Sequence, residues 1–424
     1  MSKIKRNIKD LFEINKIYAF LTKKEKILIY LLLVCLLISS IAELIGLASI
    51  IPLVEVIKDP ISVDNFLIKN YLDSIFELTG IPRINIAIIS SLLVVIFAYS
   101  ARIFSQFFIL FTSAEIGIVL HNKALSNYLK LPYNKQIGEI TDNLPYFLTK
   151  GITQVVSGII FRYLNALSSL ILFLFLSGGL LIAEPRITVL FLFSIIIFYF
   201  VINVPFFNFL LRGSKKIYSY NKEHLDSLTG LKWFIKQLKL YGIEEKYYYN
   251  ISNLHSKLRK LNTLNNFIGT YPRTLLELLL ILVIIIIISL NAQSILTNFT
   301  SRLIFCLLIV QKLLPLFSTL YASFSSLIEN KYALKDLLIY LRLSYSKTKI
   351  SVDVSYKKIS SIEISNLSFK YPKQNRFIFS EISLSIDLNK YYFLKAPSGY
   401  GKSTLIDLIL GLQVPNKGKI LYEG

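Results

Sequence analysis

A series of long apolar runs constrains this chain more than any other feature. Six stretches, roughly 27–57, 84–112, 152–183, 187–211, 273–292 and 300–327, are each long and apolar enough to cross a bilayer, which takes about 20 residues of helix. Hydrocarbon offers no partner to backbone N–H and C=O groups, so each run has to satisfy its own, and helix is the expected state. Breakers stand in several runs: Gly46 and Pro52 in the first, Pro205 in the fourth, Pro315 in the sixth. Neighbouring helices must cover the carbonyls they free. Hydrophobic residues make up 54% of the chain and charged residues 17%, where a soluble domain carries about 25% charged residues. An ordinary soluble enzyme and a disordered chain are both excluded.

The 47 basic residues outnumber the 26 acidic ones, for a net charge of +21. This charge lies between the apolar runs, so the expected partner is anionic membrane lipid and not nucleic acid. The positive-inside rule puts the N-terminus, the connections 113–151 and 212–272, and everything after 328 in the cytoplasm. Six crossings return the chain to its starting side, which agrees. The outer segment 60–80 reads as a short amphipathic helix. Cys35 and Cys306 both fall inside apolar runs and read as buried hydrophobes.

Residues 1–26 are basic and mixed, and no small-residue cleavage site follows a short apolar core, so a cleaved signal is not expected. From Leu11 to Leu21 the apolar residues share one helical face. The segment reads as a helix in the membrane interface, with a helix packed on protein as the alternative. The two long cytoplasmic connections each extend a span by some 20 residues before turning back, which is about 30 Å of helix. Stalks of that length suit a soluble domain that pushes on them.

After Tyr340 the pattern changes. Residues 362–369 and 377–388 alternate as strands do, and 391–395 (YYFLK) reads as a third strand. Ala396-Pro397-Ser398-Gly399-Tyr400-Gly401-Lys402-Ser403-Thr404 follows, then the helical run LIDLILGL. Strand, Gly-rich loop and helix form the setting of a phosphate-binding P-loop. Gly399 and Gly401 let backbone N–H groups approach phosphates, and Ser398 and Thr404 flank them. Lys402 brings a point charge to the β and γ oxygens, the Ser403 hydroxyl is the expected Mg²⁺ ligand, and the helix N-terminus faces the anion. The expected cofactors are ATP and Mg²⁺. One departure stands out: Ala396 occupies the position where the pattern has glycine, and alanine resists positive φ.

On these residues the chain resembles the ATP-binding cassette exporters, in which a six-span half-transporter precedes a nucleotide-binding domain. Phe369-Lys370-Tyr371 is similar to the family's A-loop, whose aromatic stacks on adenine, and this points to Tyr371. The resemblance implies a mainly α protein: a six-helix transmembrane bundle of the type 1 exporter kind with long cytoplasmic extensions, followed by an incomplete α/β P-loop domain. The expected divisions are 1–26 (interfacial helix), 27–327 (transmembrane domain), 328–360 (linker helix) and 361–424 (N-terminal part of the cassette). Glu43-Leu44-Ile45-Gly46, Tyr271-Pro272-Arg273 to Glu277, and Gln311-Lys312-Leu313-Leu314-Pro315 resemble most the bacterial flippases of lipid-linked oligosaccharides. Gly230 to Lys236, ending near Gly242, resembles that group's second cytoplasmic turn, where a short helix couples to the cassette.

The family's signature motif, acidic strand, catalytic glutamate and switch histidine do not occur in the sequence, and His121, His224 and His255 all fall on the stalks. The expectation is therefore a truncated cassette that binds nucleotide but does not hydrolyse it alone. Within the spans, ionisable residues are costly and mark function. Arg102, Arg273 and Lys312, with Glu43, are expected to form a cavity for an anionic head group such as a pyrophosphate. The resemblance supports this for Arg273 and Lys312. Snorkelling of Arg102 and Arg273, and a structural pair between Lys312 and Glu43, remain open alternatives.

The resulting expectation is ATP-driven flipping of a polyprenyl-pyrophosphate-linked oligosaccharide in the bacterial cytoplasmic membrane. The protein would act as a homodimer or with a complete half-transporter. Two alternatives stand beside it: an exporter of peptide, drug or lipid, and a catalytically dead membrane protein that pairs with a complete partner.

Overall fold

The computed structural model describes residues 14–58, 66–136, 144–183, 185–290, 301–343, 359–371, 374 and 376–423. The first part of the expected interfacial helix, the turn 293–299 and residues 344–358 of the expected linker 328–360 lie outside the described residues, as do the side chains of Arg302 and Cys306. The chain forms two compact units. One comprises Met1–Ala124 with Pro145–Leu341, the other Leu125–Leu144 with Arg342–Gly424.

In the first unit, α1 (Ile14–Tyr18) ends three residues before Leu21, the end of the amphipathic pattern. It precedes α2 (Lys23–Ala48), whose start is closed by a capping box between Thr22 and Glu25. The first apolar run does not continue as one helix. It breaks at Ser49, and α3 (Ile50–Lys58) follows. Pro52 explains the position of the break: it has no N–H for the Ala48 carbonyl four residues back, and its ring collides with that carbonyl. At the start of α3, where the N–H groups have no helical partner, the same proline is tolerated. The segment 60–80, expected on the outer side, contains α4 (Phe66–Thr79).

The next helix, α5 (Arg83–Leu129), has 47 residues and so spans about 70 Å, more than twice the thickness of a bilayer core. Two π turns, Phe147–Gly151 and Val156–Ile160, lead into α6 (Phe161–Ala183). Two still longer elements follow, α7 (Pro185–Tyr241) and α8 (Glu244–Leu290), then α9 (Ser301–Glu329) and α10 (Lys331–Arg342). The turn between α7 and α8 is made by Gly242 at φ +63, with Ile243 N–H donating to Leu238 O at 3.2 Å. Glycine pays little for that left-handed step, the usual way to end a helix. The expected short coupling helix at 230–236 is not a separate element. Nothing in that stretch breaks helical bonding, so it forms part of α7.

The core of the bundle joins three helices. Leu172, Leu176 and Leu180 of α6 recur every fourth residue and pack against Leu47 of α2 and Ile309, Leu313 and Leu316 of α9. Outward faces are equally apolar: Leu31, Val34, Ile38, Ile41 and Ile45 form an exposed stripe along α2, and Phe97, Phe104, Phe107 and Phe111 another along α5. Apolar faces of this extent are not left in water. Among the described residues, four segments are long and apolar enough to cross a membrane: Lys23–Val54, Arg83–Leu129, Phe147–Ile182 and Leu308–Glu329. They mark the chain as a membrane protein. The expected spans 187–211 and 273–292 lie in α7 and α8, where most side chains are outside the described residues. Close approach relies on small residues, as when Gly46 of α2 meets Ala98 of α5, where an added Cβ would lie 3.0 Å from the alanine's.

In the second unit, β1 (Ser361–Phe369) is the middle of a three-stranded antiparallel sheet in the order β2-β1-β3, with β2 Phe379–Asp387 and β3 Lys417–Glu423. Ile364 stands opposite Leu384 on one side and Ile420 on the other. The helix α11 (Lys402–Ile409) packs on this sheet through Leu405 and Leu408, which meet Ile364, Leu367, Phe369 and Phe379. The expected strand at 391–395 is not formed. The segment is irregular, and Tyr391 and Phe393 are 100% and 99% exposed. A strand needs a neighbour to take its N–H and C=O groups, and among the described residues none lies beside this one.

Candidate functional site

The loop between 396 and 402 is bent by its two glycines. Gly399 has φ +85 and Gly401 φ +87, a region that costs an L-residue about 1–2 kcal/mol. At Gly401 space is limiting as well, because a Cβ would come within 2.5 Å of Ile378 Cγ2 and 2.9 Å of Phe379 Cζ. Ala396 is not among the positive-φ residues. The expected clash between alanine and this turn therefore does not arise, because the loop bends at its glycines.

Gly401 caps α11, and Lys402 is its first residue. The Lys402 ammonium donates to Ala396 O at 2.5 Å and to Pro397 O at 3.3 Å, so it folds back across the loop. The Lys402 charge thus lies over the loop at the N-terminus of α11, a combination that favours an anion. Ser403 is exposed and Thr404 is buried. The Thr404 hydroxyl meets the Tyr371 hydroxyl at 3.1 Å, and the Tyr371 ring stands edge-on to Phe369 at 5.2 Å. The expected adenine-stacking residue and the phosphate loop are therefore joined by a direct contact. Ser398 lies in the exposed turn with Gly399 and Tyr400.

Of the four ionisable residues expected to share a membrane cavity, Glu43, Lys312 and Arg102 meet, and Arg273 lies apart. Glu43 and Lys312 pair at 2.6 Å, and both line a cavity of about 410 Å³ with Tyr99, Gln311, Gly46 and Pro315. The Tyr99 ring lies 4.5 Å from the Lys312 ammonium, a cation–π contact that the sequence reading did not include. Only its place three residues before Arg102 on α5 hinted at it. Arg102 sits behind the pair, with Nε 3.9 Å from Glu43 Oε2 and a hydrogen bond from Nη1 to Ser168 Oγ at 3.2 Å. Glu43 is 6% exposed, and its Oε2 has no hydrogen-bond partner among the described residues. Arg273 is not in the cavity lining. It pairs with Glu277 one helical turn away at 2.9 Å, where Arg273 is exposed and Glu277 half-buried.

No family model matches the chain. Over short stretches, however, it is similar to a group of known proteins. A putative ABC transporter ATP-binding protein of Bacillus anthracis is 34% identical over 85 residues, 20% of this chain and 15% of that protein. A zinc import ATP-binding protein of Buchnera aphidicola is 45% identical over 62 residues, 15% of this chain and 25% of that protein. An ATP-dependent lipid A-core flippase of Pseudomonas fluorescens is 44% identical over 63 residues, 15% of this chain and 10% of that protein. The homologues of this chain are ABC transporter proteins. The chain covers a quarter or less of the length of each of these three relatives.

Proposed function

We propose that this protein is a half-transporter of the ATP-binding cassette exporter type, in which nucleotide held by the 396–404 loop drives movement of cargo through the helical bundle. The observation that carries this is the loop itself: Gly401 wedged against Ile378 and Phe379, with Lys402 folded over the turn and Tyr371 bonded to Thr404. In this reading Lys402, Ser398, Gly399, Gly401 and Thr404 hold the phosphates, Ser403 ligates Mg²⁺ and Tyr371 supports the base. Bound Mg²⁺ would neutralise phosphate charge. The N-terminus and cassette lie in the cytoplasm of a bacterium, six spans cross its inner membrane, and two half-transporters act together.

The cargo in this reading is an amphiphile with an anionic, sugar-bearing head, a lipid-linked oligosaccharide moved from the inner to the outer leaflet. The similarity to a protein named as a lipid A-core flippase supports a lipid cargo. One observation favours the second reading, an exporter of peptide, drug or other lipid: Glu43 already neutralises Lys312 at the cavity wall, which weakens that cavity's pull on an anion. The test is leaflet exchange in proteoliposomes containing the protein together with a complete half-transporter that supplies hydrolysis, Lys402→Ala being the control, with fluorescent polyprenyl diphosphate sugar and fluorescent phospholipid in parallel. ATP-dependent movement of the first cargo alone supports the flippase, movement of the second alone supports the alternative, and movement of neither overturns both.

A further inference from the structure

A second cleft lies away from the Glu43–Lys312 pair. It has a volume of about 310 Å³ and is lined by Lys150, Asn221, Arg259, Asn262, Asn266 and Glu329, among others. These side chains come from the first π turn, α7, α8 and α9. π turns widen the helix locally and often re-aim a side chain at a functional site, and Lys150 sits in one. Its ammonium donates to Asn221 Oδ1 at 2.7 Å, and Asn221 is 4% exposed, so the cation is anchored at its base by a buried amide. Arg259 Nε donates to His255 Nε2 at 3.3 Å. Among the described residues neither Lys150 nor Arg259 lies within ion-pair distance of a carboxylate. Glu329 is the acid of the lining, and among the described residues it forms no ion pair with either cation.

This arrangement is the opposite of the membrane pair, where an acid meets each cation. Two cations brought to one cleft without an acid of their own repel each other, and an anion between them removes that cost. The amides of Asn262 and Asn266 add donors and acceptors suited to hydroxyl groups. A liquid water occupies about 30 Å³, so the cleft has room for a diphosphate and part of a sugar.

We propose that this cleft binds a phosphoryl group carried on a hydroxyl-rich molecule, a phospho- or diphospho-sugar, with Lys150 and Arg259 on the phosphoryl oxygens and Asn262 and Asn266 on the hydroxyls. The phosphoryl site stands on the cleft alone; that its carrier is a lipid rests on the export reading above.

The test uses the full chain in nanodiscs with Lys402→Ala, which removes the loop's own phosphate binding. Inorganic pyrophosphate, a soluble sugar diphosphate and polyprenyl diphosphate placed in the bilayer are titrated by calorimetry. The expected result is saturable pyrophosphate binding that weakens about tenfold or more in Lys150→Gln/Arg259→Gln and survives in Lys150→Arg/Arg259→Lys. Asn262→Ala/Asn266→Ala should weaken the sugar diphosphate and spare pyrophosphate. Tighter binding of the lipid probe assigns a membrane source, and equal or tighter binding of the soluble sugar a free one; both support the site. Unchanged pyrophosphate binding in the glutamine variant, or no saturable binding of any probe by folded protein, overturns it. If the double variant melts early, the single variants are read instead, and unchanged binding in both overturns the site equally. ATP binding by protein with Lys402 intact is measured separately, so failure of the export reading is seen apart from failure of this one.

Discussion

Lys312 and Glu43 are 269 residues apart in the chain and 2.6 Å apart in the bundle, where the carboxylate is 7% exposed and also faces Arg102 at 3.9 Å. One acid therefore serves two cations. Removing one partner from a buried ion pair costs about 3–5 kcal/mol, because a charge is left without compensation. The cost should be unequal here. Glu43→Gln strands both Lys312 and Arg102, whereas Lys312→Gln leaves Glu43 facing Arg102. Thermal unfolding in detergent should show the glutamate variant melting clearly below the lysine variant. Equal losses would mean that the Arg102 contact contributes nothing.

Gly399 and Gly401 have nearly the same φ, but only Gly401 is crowded. Gly399→Ala should cost about 1–2 kcal/mol of strain and leave nucleotide binding measurable. Gly401→Ala adds the collision with Ile378 and should abolish binding. Equilibrium dialysis with labelled ATP separates the two, and similar affinities for both variants would contradict the close-approach argument.

Tyr371 contributes a ring and a hydroxyl. Tyr371→Phe removes the bond to Thr404, worth about 0.5–1.5 kcal/mol of stability, and should bind ATP as the parent does. Tyr371→Ala also removes the stacking face, worth about 1–3 kcal/mol per base, and should weaken ATP about tenfold while sparing pyrophosphate. An equal loss for both ligands would move Tyr371 from base recognition to loop support.

Asp336 of α10 accepts a hydrogen bond from the Tyr218 hydroxyl of α7. Burial holds its carboxyl above the ordinary value of 3.8, against the opposing pull of Tyr218 and Lys222. The folded state thus binds this proton more tightly than the unfolded state. The contribution is complete below pH 3.8 and is lost as pH rises through the raised value. Asp336→Asn keeps an acceptor for Tyr218 and cannot ionise. The melting temperature of the parent should fall relative to the variant as pH rises from about 4 to 7, and parallel curves would contradict the assignment.

Four of the apolar runs and the bend of the loop at Gly399 and Gly401 were legible because their signals are local. An apolar run of 20 or so residues declares itself by composition, and the loop is defined by adjacent glycines and a lysine. What depends on distant partners was not. The alternation at 391–395 reads as a strand, but a strand is completed only by its neighbours. The Lys312–Glu43 pair left open as an alternative is formed and Arg102 reaches it, but Arg273 is outside that cavity lining, and one sequence does not say which turns of different helices face each other. Arg273 found its acid one turn away, and Lys312 found Glu43 across the bundle. The Lys150–Arg259 cleft was invisible for the same reason, since its residues lie on four elements and none belongs to a motif.

ATP binding by the purified chain, with Lys402→Ala beside it, tests the central claim most directly. Saturable Mg²⁺-dependent binding with a Kd below about 1 mM, lost in the alanine variant while its helical content and melting temperature stay unchanged, is the predicted result. No saturable binding by the parent, or equal binding by the variant, would contradict the assignment of the 396–404 loop as the site that drives this membrane protein.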